Sequence, residues 1–345
     1  MAQRYDIRQT YDWNYLHAPA SPPAVAVAPC PGQWRFCGIP VASPLGVPAG
    51  PLLNSRWILH YAALGFDVLT YKTVRSAYRA CYDLPNLLPV ERGELREEGH
   101  TLHAASGSGE YDSWAISFGM PSRDPVEWRA DIGRARQGLH SAQALVVSVV
   151  ASPQPGWTLQ DVANDFAVCA RQAADAGAQV VEANLSCPNV CTQEADLFLS
   201  PEAARLVAST VRAAMPDLPL ALKVGLFPGR TCMEDVVAAV APFADAICAT
   251  NSITAKVAGE DGLLFGGLRR GIGGRAIAAR CLEETALLRR VLDAQGSPMD
   301  LISVGGVATA QDVRDRLHAG ATHVQIATAA MIDPMVAIRI REESI

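Results

Sequence analysis

Beyond about residue 40 the chain repeats one pattern. Short, almost wholly apolar runs alternate with longer, alanine-rich stretches of helical periodicity. The runs are Val41 to Val47, Asp67 to Tyr71, Ala144 to Val150, Gln179 to Ala183, Leu218 to Val224, Asp245 to Thr250, Asp300 to Val304 and His323 to Ala327. Helical patterns lie between them, for example Thr158 to Ala176, Pro201 to Ala214 and Ala310 to Ala319. The last of these opens with Thr309 and has Asp312 three residues on, a near match to a capping box. Strand-like runs with helices between them predict an α/β fold, and their number predicts a (β/α)8 TIM barrel. A doubly wound open sheet would also alternate in this way, but no GxGxxG follows the first run.

Three segments depart from the alternation. Residues 1–40 are rich in proline, alanine and aromatics and read as an irregular N-terminal arm. That arm packs on a barrel of residues 41–345, because Trp13, Tyr15, Trp34 and Phe36 favour burial. Residues 74–139 exceed what one helical connection needs and carry Gly107-Ser108-Gly109 and then Ile116-Ser117-Phe118-Gly119-Met120-Pro121. A second long stretch runs from Ile253 to Gly274. Insertions of this kind are usually lids or substrate loops, here expected at the C-terminal face of the barrel.

Composition narrows the partners. The 345 residues are 50% hydrophobic, enough for a large core, and the net charge of -6 comes without a basic cluster. A nucleic-acid partner is therefore not expected. No stretch of about 18 uncharged apolar residues occurs, and the first residues lack an apolar signal region, so neither membrane nor export is expected. The nine cysteines are irregularly spaced, without a CxxC pair. They read as reduced thiols of a cytoplasmic protein, not as a disulfide framework, zinc site or iron–sulfur site. His100, His103 and His140 are not spaced as metal ligands, and His323, which opens a strand, reads as structural.

Chemistry collects where a barrel keeps it, at the carboxyl ends of strands. Lys72 ends the second strand, Asn184 to Asn189 the fourth, and Asn251 and Ser252 the sixth. Lys223 lies near the end of the fifth. Gly305 and Gly306 end the seventh, and Ala327 and Thr328 the eighth. The segment Asn184-Leu185-Ser186-Cys187-Pro188-Asn189 sets a thiol between two carboxamides. Cys187 there is a nucleophile, a base or a buried small residue, and the two amides can pin a planar ligand with amide-like edges. The paired glycines and Thr328 suit a phosphate held by backbone N–H groups, and Gly271-Ile272-Gly273-Gly274 reads as backbone passing close to a ligand. The lysines allow either Schiff-base chemistry or stabilisation of electron-rich atoms.

These segments resemble the dihydroorotate dehydrogenase family of FMN-dependent barrels over roughly residues 40 to 335. Supporting pieces are Leu45 to Pro51, Thr70 to Val74, Leu222-Lys223, Thr250 to Ile253, Ser303 to Gly306 and Gly320 to Thr328. The resemblance implies FMN as cofactor, with Ala49 and Gly50 against the flavin and Lys72 touching both flavin and substrate. It implies Lys223 near the electron-accepting edge, and Gly274, Gly305, Gly306, Ala327 and Thr328 around the ribityl and phosphate groups. Asn184, Asn189, Asn251 and Ser252 would bind the substrate ring. Cys187 would be the base that takes a C5 proton while a C6 hydride passes to flavin N5. A cysteine base is similar to the soluble class 1 enzymes, whereas class 2 enzymes carry serine there.

This chain departs from the pattern in three places. Ile116 and Ser122 stand where the family has asparagines, and each missing hydrogen bond to a charged group costs about 1.5–3 kcal/mol. Ser303 stands where glycine is common. The arm and Thr254 to Arg270 match no named subclass. The expected activity is oxidation of dihydroorotate to orotate. A related FMN oxidoreductase acting on another cyclic amide or enone is the alternative, and a lysine-dependent aldolase or lyase barrel the second. Fumarate, NAD through a separate electron-acceptor subunit, or quinone would each re-oxidise the flavin. A homodimer is the commonest soluble assembly.

Overall fold

The computed structural model describes residues 2–91, 93–105, 111–186, 197–343 and 345. Its centre is a closed barrel of eight strands. In chain order these are β1 (Leu45–Val47), β2 (Val68–Val74), β3 (Ala144–Val149), β4 (Val180–Asn184), β5 (Leu220–Lys223), β6 (Ala246–Ala249), β7 (Asp300–Val304) and β8 (His323–Gln325). Every neighbouring pair is parallel, and β8 closes onto β1 through Val324 and Leu45. Each strand expected from the apolar runs is present, and the fold is the (β/α)8 barrel.

The helices begin where local chemistry starts them. Thr158 and Asp161 form a reciprocal capping box at Leu159–Asp175, and Thr309 and Asp312 do the same at Ala310–His318. Ser200 caps Pro201–Ala214, whose first-turn proline has no N–H to leave unpaired.

One expected strand divides. Val41 pairs with Trp34 in an antiparallel hairpin of Trp34–Phe36 and Ile39–Val41, and only Leu45–Val47 joins the barrel. Pro44 between them cannot donate to a ladder. The hairpin covers the N-terminal end of the barrel. Phe36 is fully buried there against strand-start residues such as Val68, Ala144, Val180 and Ala246. Burying that ring contributes about 1.5–3 kcal/mol.

The two long departures form one sheet. In the first, Leu87–Pro89 pairs with Ser113–Ile116, which pairs in turn with Arg270–Gly274 of the second; that strand pairs with Ile253–Gly259, to which Thr101–His103 adds. The sheet has its own small core, including Val90, Ala115, Ile253 and Ile272. Gly107-Ser108-Gly109 lies outside the described residues.

Within residues 2–40 a short helix, Tyr11–Leu16, places Tyr11 and Tyr15 in the main core with Tyr5. Trp13 departs from expectation: it faces away, is 37% exposed and stacks on His17 at 4.1 Å. At the other terminus the Arg341 guanidinium bonds the carbonyls of Gly65 and Ala28 and pairs with the buried Asp67 carboxylate. No helix among the described residues is long and apolar enough to cross a membrane.

Candidate active site

A cavity of ≈ 320 Å³ opens between the C-terminal ends of the barrel strands and the added sheet. Its walls bring together Ala49, Gly50, Lys72, Asn184, Lys223, Asn251, Ser252, Gly274, Gly305, Gly306, Ala327 and Thr328. These residues come from the ends of seven barrel strands and, for Gly274, from the added sheet, so closure of the barrel and docking of the sheet together make them neighbours. Cys187 and Asn189 lie outside the described residues.

Lys72 projects inward from β2 with its stem buried. Its Nζ donates to the Gly50 carbonyl at 3.2 Å and sits 3.9 Å from the centroid of Phe118. Burial brings its pKa down to about 8, because the charged form loses its hydration. Lys223 rises from β5, also buried, and its ammonium has no hydrogen bond or ion pair among the described residues. Asn184 accepts from the Ser186 N–H at 3.1 Å, which leaves its amide nitrogen only the Met120 sulfur at 3.9 Å among the described residues. Asn251 donates to the Ser186 carbonyl at 2.5 Å. Both amides are thus braced through Ser186, at the entrance to the segment that carries Cys187.

The glycine corner is demanded by the protein itself. Gly305 and Gly306 have φ of 111° and 80°, and Gly274 has 95°. A Cβ at Gly306 would lie 2.4 Å from the Ala278 Cα, and one at Gly274 2.1 Å from the Asp112 carbonyl oxygen. No side chain fits either place, so the backbone lines the cavity directly. Gly273 also lines it, facing the Thr328 hydroxyl. Gly271 does not line the cavity; it pairs with Ile116 and Thr254 within the sheet.

The departures from the family pattern separate. Ile116 lines the cavity with Leu87, Trp114, Phe118 and Met120, an apolar wall that meets Asn184 at Met120. Ser122 is not at the cavity: its hydroxyl accepts from the Arg75 N–H and donates to the Arg123 carbonyl, fastening the loop. Ser303 faces outward from β7 and bonds Thr285 at 2.7 Å and Arg316 at 3.1 Å. His323 is buried against Phe36, away from the cavity.

Some lining residues had no signal in the sequence. Arg275 bonds the Gly306 carbonyl and pairs with Asp312, and Arg339 pairs with Asp333. Arg275 directly follows a glycine already singled out, but nothing in its neighbourhood shows which way it turns. Among the described residues no group of His, Cys, Asp and Glu is arranged to hold a metal ion.

Comparison with known proteins agrees with this geometry. Residues 117–344 match the family model for dihydroorotate dehydrogenase. A dihydroorotate dehydrogenase of Dictyostelium discoideum is 34% identical over 320 residues, covering 88% of this chain and 86% of that one. A dihydroorotate dehydrogenase (quinone) of Arthrobacter sp. is 29% identical over 332 residues, covering 92% and 85%. In fold the chain is similar to a dihydroorotate dehydrogenase of Eimeria tenella solved with ferulenol. The TM-score is 0.71 at 15% identity, covering 90% of this chain and 82% of that one. The chain therefore belongs to the dihydroorotate dehydrogenase family and is a flavin oxidoreductase acting on a CH–CH group.

Proposed function

We propose that this protein oxidises dihydroorotate to orotate with bound FMN. The observation that carries the reading is the cavity: it sets Lys72, Asn184, Asn251 and Ser252 beside Lys223 and the glycine corner in a chain of this family. The residues present fit FMN. A buried ammonium without a protein partner among the described residues, Lys223, suits an electron-rich ring edge, and the corner at Gly305, Gly306, Ala327 and Thr328 exposes backbone N–H groups to a phosphate. Ala49, Gly50, Lys72 and Gly274 would complete the cofactor's walls. When bound, FMN supplies the acceptor for the substrate's C6 hydride, at N5.

The chain's own residues do the rest. Cys187 takes the C5 proton. That proton lies next to a carbonyl, so its removal builds enolate character, which the amides of Asn184, Asn189 and Asn251 stabilise by donating to the oxygen. A thiol with an ordinary pKa of about 8.5 serves as this base when nearby lysine charge favours its thiolate. Lys72, over Phe118, meets a substrate carboxylate. Residues 1–40 act as an arm on the barrel. The protein works in the cytoplasm, as a homodimer or with a separate electron-acceptor subunit.

Anaerobic addition of dihydroorotate tests this. The yellow protein should bleach, and orotate should shift its flavin band. Persistence of the oxidised spectrum under dihydroorotate would overturn the assignment. The apolar wall at Ile116 favours one second reading, another cyclic amide or enone as substrate. Bleaching by such a ring, with no spectral response to orotate, would establish it.

A further inference from the structure

At mid-height inside the barrel, the even-numbered strands contribute Thr70, Glu182, Cys248 and Gln325, all buried. Layers of this kind are ordinarily filled by branched aliphatic side chains. The layer below is mostly aliphatic, with Val68, Val180 and Ala246, and His323 is its one polar member. The mid layer is instead polar and linked across the barrel. Gln325 Nε2 donates to Thr70 Oγ1 at 3.3 Å, and the Cys248 thiol donates to Gln325 Oε1 at 3.5 Å. Both bonds skip the intervening odd-numbered strand, so these side chains point into the lumen.

Glu182 is the charged member and is 1% exposed, with Oε1 lacking a hydrogen-bond partner among the described residues. Such a group is costly to bury unless something nearby is balanced by it. Lys223 stands one layer higher. Its Cα is the register partner of Cys248 on one side and Asn184 on the other, two residues beyond Glu182. Burial and Glu182 push the Cys248 thiol pKa up, while Lys223 pulls it down, so both charges reach the same sulfur.

We propose that Glu182 is a positioning residue for Lys223: its carboxylate, set in the floor beneath the cavity without a direct ion pair to the lysine, is the counter-charge that offsets the ammonium through space and limits how strongly that lysine favours the reduced cofactor. The inference rests on the cavity holding FMN. Reduction adds negative charge to the cofactor, which an uncompensated Lys223 stabilises more than a compensated one. Glu182 therefore lowers the flavin potential by acting through Lys223, without touching the cofactor.

The test is the midpoint potential of the bound flavin, read against reference dyes without any substrate. Glu182→Gln should raise the reduced-to-oxidised ratio at fixed ambient potential at least tenfold, about 30 mV for a two-electron couple. Glu182→Asp, which keeps the charge, should stay within about twofold of the parent. In a Lys223→Gln background the Glu182→Gln change should also fall within about twofold. If Glu182→Gln does not fold, Glu182→Met fills the same volume without charge and takes its place. An unchanged potential in the neutral variant overturns the proposal. So does an equal shift in Glu182→Asp, or a shift that persists without Lys223. A flavin-loaded protein that dihydroorotate does not bleach would end the substrate assignment and leave this test intact. Purification without stoichiometric FMN would end both.

Discussion

Arg316 fastens the glycine corner from below, and replacing it should loosen that corner. Its guanidinium is buried and donates to the carbonyls of Gly305 and Ala278, each at 2.7 Å, and to the Ser303 hydroxyl at 3.1 Å. Burial pulls its pKa down, which reflects the cost of holding the charge there. Arg316→Leu removes these three charge-assisted bonds, of which the two to carbonyls are worth about 1.5–3 kcal/mol each, and leaves two carbonyls without this donor. Ser303 and Thr285 still satisfy one another at 2.7 Å. Losing a buried charge returns part of the sum, so we expect a net destabilisation of about 2–4 kcal/mol. Urea unfolding would show it as a lower midpoint at constant slope. Release of the Gly305 carbonyl should also weaken FMN binding roughly tenfold, or about 1.4 kcal/mol. Arg316→Lys keeps the charge without the fork and should lose about half as much. A stability change under about 0.5 kcal/mol with flavin affinity intact would refute the reasoning.

Three other outcomes are expected. Both ring nitrogens of His323 lack hydrogen-bond partners among the described residues, and burial lowers its pKa from 6.5 to about 4. Between those values the unfolded chain binds the extra proton, so stability should fall by about 3 kcal/mol as pH drops from 6.5 to 4. His323→Leu should flatten that part of the profile, and an unchanged acid slope would show that other groups carry it. Ile116→Asn places an amide on the apolar wall and should tighten orotate roughly five- to tenfold in a flavin-band titration, matching one hydrogen bond of about 1 kcal/mol. Weaker orotate binding would remove the argument for a different ring. Cys187→Ala should abolish flavin reduction by dihydroorotate while FMN stays bound, and Cys187→Ser should leave slow activity with a raised pH optimum. Loss of FMN in the alanine variant would mark the residue as structural.

Much of the site was legible because barrel geometry turns linear position into spatial position. A polar residue at the end of an apolar run, as with Lys72, Asn184 or Asn251, must arrive at the rim of the barrel. The positive φ of Gly274, Gly305 and Gly306 was foreshadowed by residue type alone, since few other residues accept that backbone. The reason for the last two was not legible: they must clear Cys281 and Ala278, residues on a helix that only the folded chain brings against them. Ser303, a departure from pattern in the sequence, became a partner for Thr285 and Arg316 once three elements were packed together.

The sequence by itself determined the number and order of strands, their helical connections and the chemical types at the strand ends. Periodicity and capping act over a few residues, so they can be read locally. Tertiary structure decided what depends on distant pairing. The two insertions became one sheet because Ile116 pairs with Gly271 and Leu102 with Val257. The Val41–Val47 run split because Val41 found Trp34. Glu182, buried within the fourth strand, came to share a layer with Cys248, one step below Lys223, only when the barrel closed. Closure places alternate strands in common layers, and no local pattern along the chain encodes which residues share one.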